Sequence, residues 1–352
     1  MSENSIRWKR ILVTGGAGFI GSELVRQLLA QGVREIIVVD NLVNGKLKNL
    51  EELPTDRVKI VVADIRDSDR MTELMPYVDG IFHLACLGVR HSIHSPHENH
   101  EVNATATLNL LSAAKTARVS RFVYVSSSEV YGTACCVPMT EKHPTLPMTV
   151  YGASKLTGEC YTRAFYKTYD YPTVVVRPFN SYGPRCHHEG DSGEVIPKFL
   201  LRSLVGKPMI IFGDGCQTRD FTYVSDTARG IMMAGFADAA VGQTINLGSG
   251  FEISINDLAK EVASVVNLSN VNIIHNESRP GDVLRLYSDN TKAHKLLGFK
   301  PQVSMREGLI LLKNWYLNLE ISPQHLLQEE VTHNWNLDHM KRFPYTSVAD
   351  SK

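Results

Sequence analysis

The sequence predicts an α/β protein: a doubly wound, parallel sheet over about the first 180 residues, then a smaller C-terminal lobe. Three observations carry this. Strand-like and helix-like segments alternate from residue 10 onward. The strand-like segments are apolar throughout rather than at every second position, as strands buried on both faces require. A glycine-rich turn joins the first strand to the first helix, and in such sheets ligands collect at the carboxyl ends of the strands.

The elements follow in order. "RILVTGG" (10–16) is β-branched and apolar and ends in glycine. "FIGSELVRQLLAQG" (19–32) has apolar residues at helical spacing and stops at Gly32. "EIIVVD" (35–40), "VKIVVAD" (58–64) and "GIFHLA" (80–85) are three further strands. "VNATATLNLLSAAKTA" (102–117) reads as a helix, "RFVYVSS" (121–127) as a strand, and "VYGASKLTGECYTRAF" (150–165) as a helix starting near Thr149 or Val150. "YPTVVV" (171–176) is the next strand. Beyond about 180 come loops such as "YGPRCHHEGDSGE" and shorter elements such as "SINDLAKEVASVV" (254–266), where Ser254 and Asp257 have capping-box spacing. A boundary near 180 divides the chain, with later segments able to return to the first sheet. We find no internal repeat, and 326–352 reads as a surface appendage or tail.

Composition excludes several functions. Lys+Arg and Asp+Glu both number 37 in 352 residues, with no block of one sign, so nucleic acid is not an expected partner. No apolar run approaches the ~20 residues that cross a bilayer. The N-terminus "MSENSIRWKR" lacks an apolar signal core. Cys86, Cys135, Cys136, Cys160, Cys186 and Cys216 form no CxxC pair and read as reduced thiols of a cytoplasmic protein. His91, His94, His97 and His100 recur every three residues, but Pro96 interrupts them. We expect a solvated loop there and no metal site.

Two motifs carry chemistry. In "TGGAGFIG", Gly15, Gly18 and Gly21 separate a strand from a helix. Glycine allows the backbone to approach a pyrophosphate, and the helix N-terminus offers it free N–H groups. Asp40 ends the second strand, where a carboxylate accepts from ribose hydroxyls and repels a 2′-phosphate, favouring NAD over NADP. Asp64 and Ile65, ending the third strand, would flank the adenine. In "YGASK", Tyr151 and Lys155 lie four apart on one helical face. A nearby ammonium stabilises a phenolate and makes the phenol a usable base. The buried run "VYVSSSEVYG" (123–132) ends in hydroxyls and the carboxylate of Glu129.

With "HLA", "RPFNSYGPR", "IFGDGCQTRDFTYVSD" and "RPGD", these segments run in family order from about 10 to 310. The chain resembles the extended short-chain dehydrogenases/reductases, in particular the NAD-dependent nucleotide-sugar epimerase/dehydratase family. The resemblance implies a Rossmann-type NAD-binding domain over 1–180 and a nucleotide-sugar-binding lobe over 181–325. It implies tightly bound NAD held by Gly15, Gly18, Phe19, Ile20, Gly21, Asp40, Asn41, Asp64, Ile65, Leu84, Ala85, Tyr151 and Lys155. Tyr151 matches the family's base, Lys155 its partner and Ser127 the hydroxyl on the sugar C4 oxygen. Asn103 matches an asparagine behind the site. For substrate, Asn180, Arg219, Arg279 and Asp282 fall at family positions, with Arg90 near the sugar, flanked by Val89, His91 and Ser92. A homodimer packed through the helices near 105–116 and 151–168 is also implied.

All family reactions begin with oxidation at sugar C4. A 4,6-dehydratase then needs a base at C5, and dehydratases carry a glutamate where Glu129 stands. Glucose-type dehydratases add an Asp before it; here Ser128 takes that place, so the acid for C6 is not identified. "GDVLRLYSDNTKAHKLLGFKP" and "GEVIPKF" resemble 4-epimerases instead. Decarboxylases carry a basic pair where Arg285 stands alone. The reading therefore ranks 4,6-dehydration first, 4-epimerisation second and UDP-glucuronate decarboxylation third. A non-catalytic NAD-binding sensor comes last.

Overall fold

A computed structural model describes residues 8–333, except Asp191 and Pro280, together with Trp335. The chain opens with β1 (Arg10–Thr14), α1 (Phe19–Ala30), β2 (Glu35–Asp40), β3 (Val58–Val62), α2 (Ser68–Leu74) and β4 (Gly80–His83). Two short helices, α3 (Val89–His94) and α4 (Pro96–His100), precede α5 (Ala106–Thr116), β5 (Arg121–Val125), α6 (Val150–Tyr169) and β6 (Thr173–Pro178). The histidine-rich stretch is thus not a loop. Pro96 starts the second helix, where its missing N–H costs no bond.

The second half contains β7 (Asn180–Tyr182), α7 (Val195–Leu204), β8 (Met209–Phe212), β9 (Thr218–Tyr223), α8 (Val224–Phe236) and β10 (Thr244–Leu247). Then come β11 (Glu252–Ser254), α9 (Ile255–Val266), β12 (Ile273–Asn276), α10 (Thr291–Leu297), α11 (Met305–Leu317) and α12 (Pro323–Leu326). Ser254 caps α9 by accepting from the Asp257 amide at 3.0 Å.

Among the described residues, seven strands form one sheet in the order β3-β2-β1-β4-β5-β6-β10, all pairs parallel. The order reverses between β1 and β4, and the crevice outside their carboxyl ends is where such sheets bind ligands. One apolar layer packs α1 and α8 beneath the sheet, through Leu24, Leu28, Ile231 and Phe82. The other packs α5 and α6 above it, through Leu110, Leu111, Phe122 and Phe165. β10 and α8 come from beyond residue 180, so the second half of the chain completes the first sheet. The rest builds a smaller lobe around Phe199, Ile211, Leu258 and Leu312, with two small sheets, β11-β9-β7 and β12-β8. Arg185 ties this lobe to α1, pairing with Glu23 at 2.6 Å and donating to Ser22 at 3.1 Å. Among the described residues no helix is long and apolar enough to cross a membrane. The six cysteines are free thiols. The segment expected as an appendage from 326 starts inside the smaller lobe, where Leu326 and Leu327 are buried in its core; its residues 334 and 336–352 lie outside the described residues.

Candidate active site

One cleft of about 500 Å³ runs between the sheet's carboxyl edge and the smaller lobe. Its inner end is the glycine turn. Gly15 has φ +69°, and a Cβ there would stand 2.7 Å from the Ala85 amide. A Cβ on Gly21 would stand 2.0 Å from the Gly15 carbonyl, so only glycine lets α1 pack onto the turn. Gly18 caps α1 without a side-chain bond, leaving the first-turn amides for an anion. Phe19, Ile20 and Gly21 line the cleft beside them.

Asp40 is buried at the end of β2 and accepts the amides of Ala17 at 3.0 Å and Leu42 at 2.9 Å. Burial raises its pKa, and the two amides pull it back. Each carboxylate oxygen keeps a lone pair for a ribose hydroxyl. This cradle fits the adenosine and pyrophosphate of NAD. Asn41, Ile65, Leu84 and Ala85 also line it. Asp64 does not: Arg66 holds its carboxylate at 2.8 Å and Asn41 donates to it at 2.9 Å, which keeps its pKa near 2. Asp64 is the one expected cofactor residue outside the cleft lining, and Arg66 and Asn41 share its charge.

The chemistry sits where β4, β5 and α6 converge. Thr149 caps α6 by accepting from the Gly152 amide at 3.1 Å, which points Tyr151 and Lys155 at the end of β5. Ser127, Glu129, Tyr151 and Lys155 all line the cleft. Burial pushes the Tyr151 phenol well above its ordinary pKa, the Cys86 thiol adds to this, and the Ser127 hydroxyl opposes it. The sequence placed the Lys155 ammonium beside that phenol. In the structure it donates to the Val125 carbonyl at 2.6 Å and lies 4.6 Å over the Tyr124 ring. Burial lowers its pKa, and Cys86 and Glu159 partly offset this. Two of its three protons stay available to a ribose or a phenolate.

Glu129 is raised by burial, with Arg219 and Arg90 opposing and Asp282 adding to the rise. Among the described residues its carboxylate makes no hydrogen bond; its backbone amide donates to Ser127 Oγ at 3.2 Å and its carbonyl accepts from the Gly132 amide at 3.4 Å. Ser128 is buried beside it.

Behind the site a polar network fixes α6. Asn103 lies in a π-helical turn over Glu101–Thr105, a distortion common at functional sites. It accepts from the Leu87 amide at 2.9 Å and donates to the Leu87 carbonyl at 3.0 Å and to Ser154 Oγ at 3.0 Å. Asn99 joins it, donating to the same carbonyl at 2.9 Å.

At the outer end stand Arg90, Asn180, Arg219, Arg279 and Asp282. The Asn180 Oδ1 and Arg279 Nε atoms are buried without a protein partner. Arg219 and Asp282 pair with each other at 2.7 Å rather than standing apart for a phosphate and a ribose. Val89 and His91 line the cleft, whereas Ser92 is buried and donates to the Val89 carbonyl at 2.6 Å. Arg285 pairs with Glu252 at 2.6 Å, outside the cleft.

Sequence reasoning missed Cys86, Glu194 and Trp335, which also line the cleft. Cys86 directly follows "HLA" at the end of a central strand, a position that could have marked it. Glu194 and Trp335 carry no local signal, because the folding of the second lobe brings them in.

The comparisons agree with this geometry. The family model described as GDP-mannose 4,6 dehydratase matches residues 12–311. The chain is 38% identical over 315 residues to a UDP-glucose 4-epimerase of Mycolicibacterium smegmatis, covering 88% of this chain and 99% of that one. It is 34% identical to a dTDP-glucose 4,6-dehydratase of Streptomyces niveus, covering 87% and 92%. Among solved structures it superposes on DesIV, the dTDP-glucose 4,6-dehydratase of Streptomyces venezuelae with NAD and TYD bound. The TM-score is 0.83 at 34% identity, covering 88% of this chain and 97% of that one. A seven-stranded Rossmann-type sheet, a cradle that fits NAD and a Tyr-x-x-x-Lys pair at its end accompany these matches. The chain is a member of the NAD-dependent nucleotide-sugar epimerase/dehydratase family of extended short-chain dehydrogenases/reductases.

Proposed function

We propose that this protein is a nucleotide-sugar 4,6-dehydratase. The observation that carries the reading is the Glu129 carboxylate. It stands in the cleft with Tyr151 and Ser127, and no described residue hydrogen-bonds to it. NAD, when bound, would supply the hydride acceptor for sugar C4 and the hydride donor that later reduces C6, while the proton taken from C5 returns there. Tyr151 takes the C4 hydroxyl proton, and Ser127 holds that oxygen in line. Lys155 offers its two remaining protons to the nicotinamide ribose and to the phenolate. The resulting 4-ketone acidifies the C5 proton. Glu129 removes that proton, and water leaves from C6.

The acid for that leaving hydroxyl we assign to Glu194. Burial pushes its carboxyl up to about 7, against His187 and Arg90, so it still carries a proton near neutral pH. Of the other carboxyls lining the cleft, Asp40 holds two amides and Asp282 holds Arg219. Asn180 and Arg279, each with a buried unpartnered atom, hold the sugar and its diphosphate. The substrate is a nucleoside diphosphate sugar, and the protein a homodimer. Its interface uses the outer faces of α5 and α6, where Ala153, Cys160 and Ala164 are exposed small side chains.

The second reading is 4-epimerisation. Ser128 in place of an acid favours it, as does the 38% identity to a UDP-glucose 4-epimerase. A panel of UDP-, dTDP-, GDP- and CDP-sugars, followed by mass spectrometry, separates the readings. Dehydration lowers the product by about the mass of water, and decarboxylation by that of carbon dioxide. A product of unchanged mass with a new anomeric NMR pattern would sink the dehydratase reading and establish the epimerase.

A further inference from the structure

The matched family region ends at residue 311, yet the cleft has a wall beyond it. Trp335 lines the cleft together with Phe212 and Arg279. The Trp335 and Phe212 rings meet at 85° with centroids 4.7 Å apart, forming an aromatic corner. The Arg279 guanidinium sits in that corner, 4.8 Å from the Phe212 centroid and 5.3 Å from that of Trp335. His333 closes the outside, 5.8 Å from Phe212 and 5.5 Å from Trp335.

The chain leading to this corner is tied down residue by residue. The Gly190 amide donates to the Glu329 carbonyl at 3.0 Å. Glu330 pairs with Arg202 of α7 at 2.8 Å. Lys198 of α7 donates to the Val331 carbonyl at 2.9 Å. The segment after α12 is therefore fastened to the helix and loop that flank the cleft, and Trp335 arrives as part of the wall.

The corner has the chemistry of a nucleotide subsite. Two aromatic faces hold a guanidinium by cation–π contact, which fixes its plane. Arg279 Nε remains buried and unpartnered, so its donor edge is left for an anionic oxygen. An indole beside a fixed cation suits a flat base attached to a diphosphate. We infer that the described residues after α12, Trp335 above all, are part of the substrate site. Trp335 stacks the base of the nucleoside diphosphate and holds Arg279 for its phosphates. This rests on the nucleotide-sugar reading above and adds to it a specificity residue outside the matched family region.

The test uses the full-length, NAD-loaded protein with UDP, dTDP, GDP and CDP as probes, by calorimetry and tryptophan fluorescence. The chain has three tryptophans. Trp8 is buried under the sheet and Trp315 packs within the smaller lobe, so a ligand-induced fluorescence change reports on Trp335. The best-binding diphosphate should quench wild-type fluorescence. Trp335→Phe should lose the quench but keep the affinity within about threefold. Trp335→Ala should weaken binding by about tenfold or more, the scale of one base–aromatic stack, with NAD content unchanged. Wild-type affinity in Trp335→Ala, or calorimetric binding without a quench in wild type, would overturn the inference and leave the nucleotide-sugar reading intact. If wild type binds none of the four diphosphates, the nucleotide-sugar reading falls and takes this inference with it.

Discussion

At the scale of single residues, the dehydratase proposal turns on Glu129, because a carboxylate can take the C5 proton only when ionised. Burial raises its pKa, so the rate should fall as pH drops through a value above the usual carboxylate range. Glu129→Gln should lower dehydration by roughly 10²–10⁴-fold, the usual worth of a positioned base. In the proposed mechanism, hydride transfer from C4 needs Tyr151 and not Glu129. The variant should therefore still reduce bound NAD on mixing with substrate, seen as nicotinamide absorbance, whereas Tyr151→Phe should not. A Glu129→Gln enzyme that turns over at the wild-type rate would show that this carboxylate is not the base. The meeting of Ser127, Glu129, Tyr151 and Lys155 in one cleft was legible in the sequence, because they sit on two continuous segments whose period and caps place them. The direction of the Lys155 ammonium was not legible, since it depends on the carbonyl of Val125 across the fold. The pairing of Asp64 likewise depends on where Arg66 folds back.

At the scale of elements, the site is only as well placed as α6, which carries both Tyr151 and Lys155. One buried ion pair locks that helix to the sheet. Arg177 on β6 donates to Glu159 on α6 at 2.8 and 2.6 Å, with both side chains almost fully buried. Arg177 also lies 4.6 Å over the Tyr131 ring. Removing Arg177 leaves the Glu159 charge in a low-dielectric interior with only the more exposed Arg163, 3.2 Å away, as a partner. Arg177→Met should therefore cost about 3–5 kcal/mol in urea unfolding. The double variant with Glu159→Gln should recover part of this, because no bare carboxylate remains. Equal stability of single and double variants would argue against an uncompensated charge. The strands of the first half, with α1, α5 and α6, were readable because each is a local period bounded by a cap or a glycine, whereas the short α2, α3 and α4 were not. The return of β10 to the edge of that sheet has no local signature. "TINL" is too short to show where it pairs, and only the packing of α8 beneath β5 and β6 brings it there.

At the scale of the whole molecule, stability and function meet at α7, whose N-terminal end faces the cleft. Glu194 stands at the N-cap position of that helix, with no side-chain capping bond, and Lys198 lies one turn on. Burial moves both to about 7, Glu194 from 4.5 and Lys198 from 10.5. Their signs oppose. The fold keeps the Glu194 proton where the unfolded chain has released it. That contribution is fully present below about 4.5 and is lost as pH rises to about 7. The fold sheds the Lys198 proton where the unfolded chain retains it. That contribution is fully present above about 10.5 and is lost as pH falls to about 7. Together the two groups place a minimum in the protein's stability curve near neutral pH. In urea titrations across pH, the gain of Glu194→Gln over wild type should grow from about pH 4.5 to 7 and then level off. The gain of Lys198→Met should grow as pH falls from about 10.5 to 7. A Glu194→Gln curve running parallel to wild type through that acid window would mean that the carboxyl is already ionised in the fold. It would then lose its role as the proton donor at C6, and the balance of the two readings would move toward the epimerase.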